Sequence, residues 1–210
     1  MNATPAQRVL LFGGSFDPVH HGHLIVSRHV AERLGIERVV LIPSRQPPHK
    51  PSVALTSVEH RLAMCRLAVQ DDALFEVSDW EARQTGPNYT LTTVSHFRGV
   101  LGAGVALHWL IGMDSLAELT TWYRADELVE ACTIVAAARP GHEPPSIDHL
   151  LARFSAAQAR RLLDQVVSGP RIDIASTEIR GRVRAGRSIR YLVPESVRAY
   201  IESHRLYAGT

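Results

Sequence analysis

Cysteine is scarce. Cys65 and Cys132 are the two in 210 residues, each sits in an apolar stretch, and no C-x-x-C spacing exists. That excludes a disulfide-built scaffold and a cysteine-rich zinc or dithiol redox site, and it fits buried free thiols in a reducing compartment. Long hydrophobic runs are missing too. No apolar stretch approaches the roughly 20 residues of a membrane span, and the opening "MNATPAQRVLLFGG" has neither the basic start nor the apolar centre of a secretion signal. A surplus of one charge is also absent: 23 basic residues stand against 21 acidic ones, a net +2. So weak a field argues against nucleic acid or an anionic membrane as partner, and any anion the chain binds must be held locally. There is no internal repeat and no low-complexity block, and "PSRQPPHKP" and "RPGHEPP" read as loops. The expectation is a soluble, cytoplasmic protein of one domain spanning 1–210, with homo-oligomer formation left open.

What is present is alternation. Short apolar runs at 8–12, 38–43, 73–78, 105–112 and 132–138 read as strands, separated by stretches of helical period. One helix runs from Gly22 to Leu34 and ends at Gly35; another opens at Thr56, where Thr56 and Glu59 have capping-box spacing, and continues to about Val69. Strands apolar on both faces, alternating with helices, predict an α/β fold: a doubly wound, mainly parallel sheet flanked by helices. The sheet and its helices should occupy 8–170, and a C-terminal phosphate-binding motif with helices should occupy 171–208. Such sheets bind ligands beyond the carboxyl ends of their strands, so the stretches 13–23, 43–55, 79–90, 112–124 and 139–146 are the places to search.

The first of these reads "GGSFDPVHHGHL". Gly13 and Gly14 allow a tight turn and a close approach of ligand to backbone. His20 and His23 are three apart, so a helix starting near Val19 puts both on one face of its first turn, beside free N–H groups and the positive end of the dipole. That corner attracts phosphate. Neutral imidazoles can donate to phosphate oxygens, Gly22 between them leaves room for a base or sugar, and His21 should point elsewhere. The alternatives are a zinc pair, for which spacing identifies no third ligand, and histidines that only cap the helix.

G-x-F-D-P-x-H-x-G-H, present without mismatch at 14–23, is the signature of the H-x-G-H nucleotidyltransferases, and this chain resembles that superfamily. A Walker A loop is absent, as is a Rossmann G-x-G-x-x-G after the first strand. Further segments look like bacterial nicotinate-nucleotide adenylyltransferases: "PPHK" at 47–50, "NYTLTT" at 88–93, "IGMDSL" at 111–116, "TWYR" at 121–124, "IASTEIR" at 174–180, and the late helix "PESVRAYIESHRLY". One departure is Ala175, where the family usually has serine, which leaves Ser176 and Thr177 to carry any hydroxyl contact.

The resemblance implies transfer of AMP from ATP to nicotinate mononucleotide, giving deamido-NAD and pyrophosphate, with Mg²⁺ brought in by ATP and no protein metal ligands. A phosphate monoester has its second pKa near about 6, so the nucleophile is mostly a dianion and needs no general base; positioning and charge neutralisation suffice. His20, His23, Lys50 and Arg180 are then the expected catalytic residues. ATP would be held by Gly13, Gly14, Ser15, Phe16, His20, Gly22, His23, Gly112, Asp114, Ser176, Thr177 and Arg180, with Ser176 or Thr177 capping a helix that follows a strand. The acceptor would be held by His49, Lys50, Tyr89, Thr90, Trp122, Tyr123 and Arg139, Trp122 stacking on the pyridine ring and the backbone N–H groups of Thr90 and Tyr123 receiving its carboxylate. The rival readings are another member of the superfamily, using pantetheine phosphate or nicotinamide mononucleotide, and a non-catalytic nucleotide-sensing module.

Overall fold

The computed structural model describes residues 7–46, 55–139 and 141–209. The whole of "PPHK" at 47–50, with His49 and Lys50, lies outside these. Strands β1 (Arg8–Gly14), β2 (Arg38–Pro43), β3 (Phe75–Val77), β4 (Ala106–Gly112), β5 (Thr133–Ala137) and β6 (Val166–Val167) form one sheet in the order β3-β2-β1-β4-β5-β6, with each neighbouring pair parallel. Four of the six fall within the predicted runs, and β1 overruns its own by two residues. The two-residue β6 is too short to carry a periodicity and was not among them.

Parallel strands buried on both faces need apolar side chains in both directions, and β1 supplies them in alternation. Val9 and Leu11 join Trp109, Ile111 and Ile134 on one face of the sheet, while Leu10 joins Leu41, Leu110 and Val135 on the other. Helices α4 (Thr90–Leu101), α6 (Ala125–Ala131) and α8 (Ala156–Asp164) cover the first face through Phe97, Leu128 and Leu162. The second is covered by α1 (His21–Leu34), α2 (Val58–Val69), α9 (Ser176–Arg184) and α10 (Glu195–Ser203) through Val30, Met64, Ile179 and Val197. The doubly wound expectation holds, and both thiols are buried and free.

Local signals did less well at helix starts. Helix α1 ends as predicted, at Gly35 in the left-handed region (φ 60°), with the Ile36 N–H returning to the Ala31 carbonyl at 2.8 Å. Helix α2, by contrast, takes Ser57 as its N-cap rather than Thr56. Thr56 has another use, because its carbonyl accepts from Arg61 Nε at 2.8 Å. Two of the stretches read as loops contain short helices, α3 (Trp80–Arg83) and α5 (Met113–Glu118), the second followed by a 3-10 turn over Leu119–Thr121. α7 (Ile147–Leu151) completes the set of described helices.

Candidate active site

The chain builds β1, β2 and β3 outward in one direction, then returns to place β4, β5 and β6 on the other side of β1. The connections after β1 and β4 therefore diverge and open a crevice at the carboxyl edge. A cleft of about 310 Å³ lies there. Its walls bring together His20, Gly22 and His23 at the start of α1, Gly112 at the end of β4, Arg139 after β5, and Ser176, Thr177 and Arg180 at the start of α9. Residues distant in sequence and assigned to one nucleotide site thus converge on one cavity.

His20 is the N-cap of α1 and His23 its third residue. The His20 N–H donates to His23 Nδ1 at 3.2 Å, and the two rings stack with centroids 3.6 Å apart at 25°. Burial pushes His20 down to about 4, with Arg139 and His21 adding repulsion, and it pushes His23 well below its ordinary value, with His20 and Arg139 adding. Both rings are neutral at pH 7. Because His23 Nδ1 accepts, the proton of that neutral ring sits on Nε2, which leaves Nε2–H as a donor. A zinc site finds no support: among the described residues no group of three His, Cys, Asp or Glu side chains could hold a metal. The helix start is less open than expected, since the His21 N–H already donates to the Leu192 carbonyl at 3.0 Å. His21 itself is half-buried rather than pointing freely into solvent.

The turn before the histidines is tied from several directions. Phe16 occupies the left-handed region at φ 47°, and Asp17–Pro18 is a cis peptide. Arg61, 1% exposed inside α2, donates to the carbonyls of Ser15 and Ser44, each at 2.7 Å, besides that of Thr56. Arg180 Nη1 donates to the Asp17 carbonyl at 2.7 Å, and Ser176 Oγ to the Pro18 carbonyl at 2.9 Å. The Asp17 carboxylate, equally buried, accepts from Tyr207 Oη at 2.7 Å and from the Thr56 N–H at 3.3 Å. Two expectations for "IASTEIR" are thereby corrected. No strand ends within this segment, the preceding β6 stopping at Val167, and the N-cap of α9 is Ala175, so neither Ser176 nor Thr177 caps it; Ser176 instead fastens α9 to the turn.

The glycines also serve a different purpose from the one expected. A Cβ on Gly13 would come within 2.6 Å of the Trp109 ring, and one on Gly14 within 3.1 Å of the Phe16 ring. Their smallness admits these aromatic side chains. At Gly112 the space belongs to the Asp114 carboxylate, whose Oδ1 would lie 2.4 Å from an added Cβ. Gly22 has His20 Nδ1 at 3.0 Å and Ile172 at 3.3 Å on the same test, so it lets the histidine lie flat on the helix. Ser15 lines the cleft, whereas Gly13, Gly14, Phe16 and Asp114 do not.

Of the segments assigned to the acceptor, "NYTLTT" and "TWYR" gather outside that cleft. Tyr89 and Tyr123 stack with centroids 4.4 Å apart, which joins "NYTLTT" to "TWYR". Thr90 is the first residue of α4, and Trp122 is half-buried and packs against the core beneath the first face of the sheet. Asn88 is the buried hub of this region. Its Oδ1 accepts from the Arg45 and Gln46 N–H groups at 2.8 and 3.0 Å, and its Nδ2 donates to the Glu81 carbonyl at 3.2 Å. Arg139 stands apart from this group and shares the cleft of the two histidines. Sequence reasoning passed over Asp17, Arg61, Asn88 and Tyr207. Arg61 could have been found, because it takes a core position of α2 three residues after buried Val58 and four before buried Cys65.

Comparison with known proteins agrees with this architecture. The model of the cytidylyltransferase-like family matches residues 11–182. The "Probable nicotinate-nucleotide adenylyltransferase" of Thermomicrobium roseum is 42% identical over 200 residues, covering 95% of this chain and 91% of its own. That of Thermoanaerobacter sp. (strain X514) is 39% identical over 203 residues, covering 95% and 94%. The chain belongs to the nicotinate-nucleotide adenylyltransferase family. Among solved structures, the Plasmodium falciparum nicotinic acid mononucleotide adenylyltransferase complexed with NaAD superposes with a TM-score of 0.75 at 17% identity, over 96% of this chain and 97% of that one. At so low an identity the likeness speaks to the fold alone. This family member therefore carries the doubly wound sheet with its histidine pair at the switch point, and among its described residues no helix is long and apolar enough to cross a membrane.

Proposed function

We propose that the chain transfers AMP from ATP to nicotinate mononucleotide, giving deamido-NAD and pyrophosphate for NAD biosynthesis. An oxygen of the acceptor's phosphate forms a bond to the α-phosphorus. The bond from that phosphorus to the bridging oxygen breaks, and pyrophosphate leaves with the electron pair. The single observation that carries this reading is the stacked, neutral His20–His23 pair, in one cleft with Arg139 and Arg180. Hydrogen-bond donors and guanidinium groups neutralise charge at a phosphorus; a base is not required of them, since the acceptor arrives as a dianion.

His23 Nε2–H and His20 would donate to the α- and β-phosphates, and the hydroxyls of Ser15 and Thr177 and the guanidinium of Arg180 would meet the β- and γ-phosphates. Mg²⁺ would enter as part of MgATP and add charge neutralisation on the phosphate oxygens. That fits the cleft, whose polar side chains are nitrogen donors and hydroxyls with no carboxylate among them, while Mg²⁺ in phosphate sites takes phosphate oxygens and water. Arg139, close enough to both histidines to oppose their protonation, is assigned to the phosphates rather than to the pyridine ring. His49 and Lys50 keep their expected part at the acceptor or triphosphate. The Tyr89–Tyr123 platform, Trp122 and the Thr90 N–H would form the nicotinate pocket.

The test is ATP-dependent release of pyrophosphate with nicotinate mononucleotide, nicotinamide mononucleotide and phosphopantetheine compared. The expected result is turnover chiefly with the first. Preference for phosphopantetheine, or nucleotide binding with no turnover of any acceptor, would overturn the proposal.

A further inference from the structure

The turn from Ser15 to Pro18 carries a cost that its own sequence does not meet. Phe16 is a bulky residue in the left-handed region, a conformation that persists only where the surroundings over-determine it. Most of the ties described above hold its backbone carbonyls: Arg61 on Ser15, Arg180 on Asp17 and Ser176 on Pro18. The Asp17 side chain is the exception. Its carboxylate is almost wholly buried, and its two oxygens take the Tyr207 hydroxyl and the Thr56 N–H. Tyr207 follows α10, the covering helix farthest from the turn in sequence, and itself adopts a left-handed backbone at φ 62° to bring its ring in.

We propose that Tyr207 is a positioning residue of the adenylyl-transfer site, holding through the Asp17 carboxylate the turn that presents His20 and His23. The inference rests on the activity proposed above. Tyr207 is absent from the residues lining the cleft, so its action runs through Asp17. From Asp17, Pro18 and Val19 are the only residues before the His20 cap, whose N–H in turn fixes the His23 ring. A relaxed Asp17 shifts the origin of that short path, and the histidine donors move with it. Burial and the adjacent carboxylate push the Tyr207 phenol up, so it stays a donor throughout the working pH range.

Tyr207→Phe removes one hydroxyl and leaves the ring to pack. In the full chain the expected result is a fall in kcat of about tenfold or more with KM for the acceptor within about twofold, because misplacement of catalytic donors costs rate before it costs remote binding. The imidazole ¹⁵N resonances of His20 and His23 should shift, while those of His96, stacked on Trp80 in α4 on the other face of the sheet, stay in place. In a double-mutant cycle with Asp17→Asn, the Tyr207→Phe loss should largely vanish, since its route has already been cut. Wild-type kcat and unchanged histidine resonances in Tyr207→Phe would overturn the proposal, as would full additivity with Asp17→Asn. A lower Tm with neither kinetic nor resonance change would reduce Tyr207 to a stabilising contact and overturn it equally. If the wild-type chain turns over no acceptor, the activity proposed above fails, and the resonances alone then decide whether Tyr207 positions the histidines.

Discussion

His23 is the residue on which the proposed chemistry turns, and its neutrality sets what it can do. A neutral ring with its proton on Nε2 gains most as negative charge builds on the phosphate oxygens, so His23→Ala should lower kcat by roughly 10² or more while KM for ATP changes much less; equal losses in steady-state kinetics would assign the ring to ground-state binding. Its partner has a thermodynamic signature. His20 titrates at about 4 in the folded chain against 6.5 as its ordinary value. Between those values the unfolded chain binds the proton and the folded one does not, so stability is intact above about pH 6.5 and falls as pH drops towards 4. The loss comes to roughly 3 kcal/mol for this ring, and denaturant titrations at pH 7 and pH 4.5 in wild type and His20→Asn should show the variant losing less over that interval. Trp122 has a test of its own: Trp122→Ala should raise KM for the mononucleotide with little change for ATP, because stacking of about 1–3 kcal/mol belongs to the acceptor alone.

At the scale of elements, strands were legible and helix starts were not. A buried parallel strand announces itself as an apolar run, and β1, β2 and β4 lie within a residue or two of the runs that predicted them. The start of a helix depends on who else wants its groups. Thr56 and Ser176 have the right side chains for caps, but the Thr56 carbonyl goes to Arg61 five residues on, and the Ser176 hydroxyl goes to Pro18 across the fold. The nucleotide site was largely legible because its histidines, hydroxyls and arginine are confined to two contiguous motifs. Among its supporting residues Arg61 was legible as a cation at a core position of α2, whereas Asn88 and Tyr207 act through backbone carbonyls and amides or one buried carboxylate, which leave no local spacing. Glu81 shows such a connection between α3 and α4. Its Oε1 accepts from Thr93 Oγ1 at 2.6 Å, and burial pushes the carboxyl up to about 7. Here the folded chain holds a proton that the unfolded chain has lost, so stability falls as pH rises from about 4.5 to 7. Glu81→Gln keeps an acceptor for Thr93 without the charge and should be more stable at pH 8 by roughly 2–3 kcal/mol, a gain that disappears at pH 4.5 in the same denaturant titration.

For the molecule as a whole, the two free thiols offer a readout of how cooperatively it opens. Cys65 lies under one face of the sheet and Cys132 under the other, and burial pushes both thiols up, Cys132 to about 12. Neither should react with a thiol reagent while the fold is closed, and both should become reactive together at the rate of global unfolding. Labelling of Cys65 well before Cys132 would mean that the two layers separate independently.

The Asp17–Tyr207 pair also has a consequence in time. The two residues stand 190 positions apart. A ribosome adding about 5–20 residues per second makes the carboxylate roughly 10–40 s before the hydroxyl that donates to it. Throughout that interval β1 and α1 can pair with what has already emerged, yet the turn between them lacks the contacts from Ser176, Arg180 and Tyr207. The nascent chain can therefore hold most of its sheet while its histidines wait for a site that only late translation completes.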